Sequence, residues 1–130
     1  MRVGFTGTRE GMTQTQLEQL VLALQSAGVT EFHHGDCLGA DAEAHDIVRE
    51  FFPACKIIVH PPIKNYMRAW KRGDEMLVPL DYIPRDRKIV ESTEFLIGAP
   101  LVDVEQIRSG TWTTIRHARR LGRDHVVLAR

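Results

Sequence analysis

Short apolar runs alternate with segments of helical spacing along the whole of this 130-residue chain. The apolar runs lie at 2–6, 30–34, 56–60, 94–99 and 125–129, and helical patterns fill most of the intervals between them. Strands that alternate with helices form parallel sheets through right-handed crossovers. The pattern therefore predicts the α/β class, as a single Rossmann-like three-layer domain over residues 1–130 with a mainly parallel five-stranded sheet.

The composition is that of an ordinary globular protein and narrows the choice of partners. Hydrophobic residues make up 43% of the chain, and 17 basic residues balance 17 acidic ones. Because dedicated nucleic-acid binders usually carry a basic excess, nucleic acid is a possible but less favoured partner. No apolar run approaches the ~20 residues of a membrane span and no signal-peptide pattern is present. We therefore expect a cytoplasmic protein with no membrane partner.

A turn of glycine, threonine and arginine follows the first strand. Gly7, Thr8 and Arg9 bring a backbone N–H, a hydroxyl and a guanidinium to one strand end, which is the equipment of a phosphate-binding turn. A surface turn with a salt-bridged arginine is the other interpretation. Short glycine motifs often occur without a ligand, so this turn gains weight only beside others.

The second junction between a strand and a helix carries two glycines and two aspartates. Gly35 and Gly39 allow another molecule to approach the backbone closely, and Asp36 and Asp41 can accept hydrogen bonds from ribose hydroxyls. A mere helix cap at Asp41 is the alternative. We favour ligand binding, because strand ends of open parallel sheets adjoin at one edge.

A third turn opens the last helix. Ser109, Gly110 and Thr111 offer N–H groups and hydroxyls for a phosphate, although Ser109 can equally be a simple N-cap. Residues 63–82 show no regular pattern and indicate a lid or binding loop. The six histidines form no short metal-binding motif. The sequence thus predicts neither a metal nor another cofactor.

The order of these motifs resembles the SLOG superfamily, which joins the Smf/DprA DNA-processing proteins and the lonely guy phosphoribohydrolases. The resemblance covers nearly the whole chain and is strongest with small standalone, YpsA-like members. It implies a Rossmann-like sheet, a nucleotide-type ligand at the carboxyl ends of the strands, and a homo-oligomer. The segments that carry it are Gly7-Thr8-Arg9, 34–41 with His45, Arg87, and Ser109-Gly110-Thr111.

One part of the lonely guy pattern is absent. Those enzymes carry a Pro-Gly-Gly-x-Gly-Thr-x-x-Glu motif and an upstream arginine in a segment that ends in Arg-Lys. Arg87 matches the upstream arginine, which the resemblance makes a phosphate ligand and a catalytic candidate. The glutamate, however, is replaced by Thr113 and Thr114. Among nearby carboxylates, three are candidates to replace it: Asp36, Asp41 and Glu91.

These observations predict a protein that binds a nucleotide or nucleotide-derived small molecule, as a sensor, carrier or sequestering protein. Two alternatives remain open. One is hydrolysis of the N-glycosidic bond of nucleoside 5′-monophosphates, and the other is single-stranded DNA binding of the DprA type. The residues expected at the ligand are Gly7, Thr8, Arg9, Gly35, Asp36, Gly39, Asp41, Arg87, Ser109, Gly110 and Thr111.

Overall fold

A computed structural model describes residues 1–130 and shows one sheet with helices on both of its faces. The strands run in the order β4-β3-β2-β1-β5-β6, and every neighbouring pair is parallel. The elements in chain order are β1 (Arg2–Gly7), α1 (Gln14–Ala27), β2 (Glu31–His34), α2 (Ala40–Phe51), β3 (Lys56–Val59), a 3₁₀ turn (Asn65–Met67), β4 (Glu75–Met76), α3 (Tyr82–Glu91), β5 (Phe95–Ala99), α4 (Gly110–Arg120) and β6 (Asp124–Val127).

The sheet has six strands where the sequence predicts five. The additional strand, β4, lies inside the irregular segment 63–82 and pairs only Glu75 and Met76 with the end of β3. Two residues are too few to give an alternating pattern in a sequence. They form a strand because they pair with the exposed edge of β3, which is close to them in the folded protein but not in the sequence. The prediction of a parallel, three-layer α/β domain is confirmed.

Two apolar cores hold the layers together, one on each face of the sheet. The larger core, which includes Phe5, Leu20 and Leu24, joins α1 and α2 to one face. The smaller core, which includes Ile89 and Ile115, joins α3 and α4 to the other. None of the four helices has the length and apolarity that crossing a bilayer demands.

The strand order reverses between β1 and β5. The chain leaves β1 in one direction through β2, β3 and β4, and α3 then carries it back to β5 on the other side of β1. At the carboxyl ends of these strands Gly7 pairs with Ala99, and the Thr8 N–H donates to the Ala99 carbonyl at 3.0 Å. Loops leave such a reversal in opposite directions, so a crevice opens between them.

Candidate functional site

A cleft of about 520 Å³ lies at this reversal. Its walls are the end of β1 with the loop that follows, the junction between β2 and α2, the first two turns of α3, and the loop that leads into α4. The volume falls within the ~300–1,000 Å³ of small-molecule sites. We call this space the cleft.

Most of the residues expected at a ligand converge in the cleft. Eight of the eleven line it: Gly7, Thr8, Arg9, Gly35, Asp41, Ser109, Gly110 and Thr111. Turns after three different strands thus meet at one site. Asp36, Gly39 and Arg87 do not line it, and neither does Glu91.

The first turn of α4 gives the cleft a positive side. Ser109 is the N-cap, and its Oγ accepts the Trp112 N–H at 3.2 Å. The N–H groups of Gly110 and Thr111 stand at the start of the helix, where no carbonyl of a preceding turn is available to accept them. No acidic residue lies in this turn. Free N–H groups and the helix dipole together attract an anion.

Two arginines strengthen this positive side. Arg9, in the loop after β1, and Arg108, directly before the N-cap of α4, both line the cleft. Neither guanidinium pairs with a carboxylate of the protein, whereas Arg68, Arg85 and Arg116 all do. Arg9 and Arg108 therefore have donors to spare for a ligand.

Arg85, and not Arg87, is the arginine of α3 that faces the cleft. Arg85 is only 5% exposed, and each of its three nitrogens is engaged: Nε donates to Asp86 at 2.6 Å, Nη1 to the Gly35 carbonyl, and Nη2 contacts Cys37 Sγ at 3.7 Å. Through these contacts Arg85 braces α3 against the β2–α2 junction. Arg87 lies two residues further round the helix and is exposed.

The brace lies directly against the backbone of Gly35. A Cβ on Gly35 would lie 2.6 Å from Arg85 Nη1, closer than van der Waals contact allows. The sequence motif anticipates a close approach at Gly35, but the partner is an arginine of the same chain. The approach thereby brings α3 over the end of β2.

Asp36 ties a loop to the sheet instead of facing the cleft. It is fully buried, with a left-handed φ of 57° that aspartate tolerates better than most residues. Its Oδ2 accepts from Arg68 Nε at 2.8 Å and its Oδ1 from the Lys71 N–H at 2.9 Å, while its carbonyl accepts the Ala69 N–H at 2.8 Å. Asp36 thus fixes residues 68–71.

Gly39 likewise has a structural position. It is the N-cap of α2 with φ of 85°, and the Arg9 backbone occupies the space where a side chain would begin. The loop after β1 is therefore laid directly on the start of α2. A hydrogen bond from the Ala40 N–H to the Thr8 carbonyl, at 3.0 Å, fixes the same contact.

Two carboxyl groups remain in the cleft. Asp41 is 5% exposed; its Oδ2 accepts the Cys37 N–H at 3.2 Å, and its Oδ1 has no protein partner. Burial raises the pKa of Asp41 to about 7, against the opposing attraction of Arg85. Burial also raises the pKa of Asp86. No local sequence signal marks Asp86, because only the placement of α3 in the folded protein brings it to the cleft.

Two tyrosines complete the lining. Tyr66, in the 3₁₀ turn, is 70% exposed, and Tyr82 begins α3 with a buried hydroxyl that makes no close hydrogen bond to the protein. Burial and the neighbouring Tyr66 side chain raise the pKa of Tyr82. The Arg85 guanidinium lies 5.5 Å from the centre of the Tyr82 ring. Tyr66 lies in the segment that the sequence analysis marked as a binding loop, whereas no local signal distinguishes Tyr82.

Buried histidines lie behind the β2–α2 junction and outside the cleft. The Asp36 N–H donates to His34 Nδ1 at 3.0 Å, so His34 carries its proton on Nε2 and donates it to His45 Nδ1 at 2.9 Å. A second pair joins His33 Nδ1 and His60 Nε2 at 2.7 Å. Burial lowers the pKa of all four rings. They are neutral packing groups in this structure.

Comparison with known proteins supports the fold. No protein-family model matches the chain, and no curated protein is similar to it in sequence. The X-ray structure of TM1055, a structural genomics target, superposes with a TM-score of 0.66 at 18% identity, over 96% of this chain and 72% of that one.

The X-ray structure of DNA processing protein A (DprA) from Streptococcus pneumoniae is also similar. Its TM-score is 0.68 at 20% identity, and the match covers 97% of this chain but 49% of DprA. This chain thus spans about half the length of DprA. At these identities the likeness to both structures concerns the fold alone. The Rossmann-like α/β fold that the sequence predicted is thus shared with two solved structures.

Proposed function

We propose that the cleft binds a phosphorylated small molecule of the nucleotide type, with its phosphate at the first turn of α4. The observation that carries the proposal is the convergence of unpaired donors at the β1–β5 reversal. Gly110 and Thr111, whose N–H groups precede the first helical acceptor, line one cleft together with Arg9 and Arg108, which pair with no carboxylate. Each charge-assisted hydrogen bond to a phosphate contributes roughly 1.5–3 kcal/mol.

The aromatic part of the lining suits a nucleobase. Tyr66 and Tyr82 line the same cleft as the phosphate-binding turn. Stacking of a base on an aromatic ring is worth about 1–3 kcal/mol. A ligand with an anionic group and a flat aromatic group uses both parts of the lining.

Binding without turnover is the role that the first turns of α4 favour. The Thr113 hydroxyl donates to the Ser109 carbonyl at 2.8 Å, and the Thr114 hydroxyl donates to the Gly110 carbonyl at 3.0 Å. These hydroxyls are engaged with their own helix and carry no negative charge. They cannot stabilise the positive charge that develops on a sugar when its base leaves. A sensor, carrier or sequestering protein needs no such charge.

Hydrolysis of a nucleoside 5′-monophosphate is the second candidate, and the carboxyl groups of the cleft favour it. Asp41 and Asp86 line the cleft with raised pKa values, as a general acid requires. Asp36 is engaged with Arg68, and exposed Glu91 lies outside the cleft. A DprA-type DNA function is compatible with the fold but has no further support in the cleft.

A thermal-shift screen with AMP, GMP, cyclic AMP and cyclic di-AMP tests the binding proposal. A ligand at 100 times its Kd stabilises the protein by about 2.7 kcal/mol, which is several degrees in Tm. We expect Arg9→Ala and Arg108→Ala each to weaken binding about tenfold or more. The matched control, Arg120→Ala, lies at the far end of α4 and leaves binding unchanged.

A fourth variant, Arg87→Ala, tests whether the exposed arginine of α3 contributes to binding. The sequence resemblance predicts weaker binding from its loss, whereas its exposed position outside the cleft predicts none. The proposal is refuted if no nucleotide raises the Tm, or if Arg120→Ala weakens binding as much as Arg9→Ala does.

A further inference from the structure

Two buried polar atoms of residues that line the cleft make no close hydrogen bond within the protein, although the Tyr66 side chain lies beside one of them, the Tyr82 hydroxyl. Only four buried side-chain atoms of the chain are in this position, and two of them, Asp41 Oδ1 and Tyr82 Oη, belong to residues that line the cleft. A buried polar atom without a hydrogen bond costs about 1–3 kcal/mol. Such atoms are rare, and two of the four belong to residues of one cleft. We infer that a ligand in the cleft forms hydrogen bonds with them.

Asp41 is held so that only one of its oxygens is available. It lies in the first turn of α2, where Oδ2 accepts the Cys37 N–H at 3.2 Å. That bond fixes the carboxyl plane and leaves Oδ1 free. The side chain is 95% enclosed, so bulk solvent does not compete strongly for this oxygen.

Asp41 and Tyr82 belong to one continuous wall. Cys37 donates its backbone N–H to Asp41, and its sulfur lies 3.7 Å from Arg85 Nη2. The Arg85 guanidinium in turn lies 5.5 Å from the Tyr82 ring. Cys37 and Arg85 thus link Asp41 to Tyr82 in the lining of the cleft. This wall comes from α2 and α3, whereas the phosphate-binding turn comes from α4.

Resting on the proposed function, we propose that Asp41 and Tyr82 bind the sugar hydroxyls of the ligand, and that the cleft selects ribonucleotides over nucleotides without these hydroxyls. An ionised carboxylate only accepts hydrogen bonds, while a phenol both donates and accepts. A ribose diol offers two donors that also accept, and so it satisfies both groups. The negative Asp41 also repels a phosphate from this wall, which leaves the anion to α4.

The surroundings of Asp41 add a pH signature. Arg85 and Asp86 of α3 face it, as do Cys37 and Asp36 of the β2–α2 junction. Burial raises its pKa to about 7, so the acceptor form increases from about one tenth to nine tenths between pH 6 and 8. The affinity ratio of a ribonucleotide to its dideoxy analogue should therefore rise about tenfold over that range. The ratio cancels the ionisation of the phosphate, which both ligands share.

Isothermal titration calorimetry with AMP, GMP and their 2′,3′-dideoxy analogues tests this inference. At pH 8 we expect the wild-type protein to prefer the ribonucleotide about tenfold or more. Asp41→Asn should abolish most of this preference while leaving the dideoxy affinity within about twofold, and Tyr82→Phe should reduce it. Asp46→Asn is the matched control, because Asp46 lies exposed on the same helix and outside the cleft.

The outcomes separate the two proposals. Equal affinity of the wild-type protein for ribonucleotide and dideoxynucleotide overturns the sugar assignment while the binding proposal stands. An undiminished preference in folded Asp41→Asn also overturns it. If Asp41→Asn does not fold by circular dichroism, an undiminished preference in Tyr82→Phe overturns it instead. Failure of these four nucleotides and of both cyclic nucleotides of the thermal-shift screen to bind refutes the proposed function itself.

Discussion

Replacement of Asp41 by asparagine should stabilise the protein at neutral pH, even though Asp41 belongs to the proposed site. The pKa of Asp41 rises from an ordinary 3.8 to about 7 on folding, chiefly because the carboxyl is buried. Between these values the folded protein holds a proton that the unfolded chain has released. The free energy of unfolding therefore falls as pH rises, by about 1.4 kcal/mol per pH unit. Over the whole interval between the two pKa values, the ionisation of Asp41 lowers the free energy of unfolding by about 4 kcal/mol, a loss that is complete at pH 7 and above.

The asparagine variant keeps the acceptor for the Cys37 N–H and loses the titration. All other ionisable groups are common to both proteins and cancel in the difference of their stabilities. That difference, variant minus wild type, should grow by about 1.4 kcal/mol per pH unit from pH 5 to 7 and level off above 7. The asparagine amide is buried without a hydrogen-bond partner, which lowers the stability of the variant by about 1–3 kcal/mol. A net stabilisation of roughly 1–3 kcal/mol remains at pH 8.

Urea unfolding followed by far-ultraviolet circular dichroism at pH 5, 6, 7 and 8 measures this difference. Asp46→Asn, on the exposed side of the same helix, controls for the loss of a surface carboxylate that pairs with Lys71. A flat difference for Asp41→Asn, or one that shrinks as pH rises, would refute the argument that Asp41 is a strained, buried carboxyl. This loss of stability is the cost of a buried carboxyl kept available for a ligand.

Three further predictions concern the brace, the histidines and turnover. Gly35→Ala should destabilise the protein by about 1–3 kcal/mol in thermal melts, because its Cβ would displace Arg85, while Gly110→Ala, which meets open space, should cost under 1 kcal/mol; equal losses would contradict the brace. Burial lowers the pKa of His60 to about 3, so the unfolded chain takes up a proton from pH 6.5 downward that the folded ring refuses. Relative to His60→Gln, the wild-type protein should then lose about 1.4 kcal/mol per pH unit below 6.5 in urea titrations, and parallel curves would show an exposed ring. Incubation with AMP and GMP should release no free base by chromatography; robust release that Asp41→Asn abolishes would establish the hydrolase instead.

The sequence predicts those helices and strands whose ends are set by residues close to them in the chain. The capping box of Thr13 and Gln16 and the left-handed Gly28 delimit α1, and Ser109 caps α4. Each of these signals acts over a few residues, within reach of one turn. The parallel sheet follows from the alternation of such elements. Strand β4 does not, since its pairing partner lies 17 residues earlier in the chain.

The helical phase of α3 is the point where sequence spacing is insufficient. Arg85 and Arg87 are equally good anion ligands by residue type, but two positions turn a helix by about 200°. Burial of Ile89 one turn after Arg85 places Arg85 inward and Arg87 outward. The family resemblance points to Arg87, which the structure leaves exposed and outside the lining of the cleft.

The two aspartates of the β2–α2 junction show the same limit. Sequence alone makes Asp36 and Asp41 equivalent candidates. Asp36 is occupied by Arg68 and Lys71, which lie more than thirty residues further along the chain. Asp41 keeps one oxygen free because no such partner reaches it. Only the tertiary structure distinguishes an occupied carboxylate from an available one.

The central claim, that the first turn of α4 binds the phosphate of a nucleotide, is tested most directly by amide chemical shifts. A titration of ¹⁵N-labelled protein with AMP or GMP should move the Gly110 and Thr111 signals furthest, in the downfield direction of a new charge-assisted hydrogen bond. The same titration in Arg108→Ala should need a higher nucleotide concentration for the same shift. Saturable shifts that leave Gly110 and Thr111 unmoved and cluster elsewhere would contradict the account.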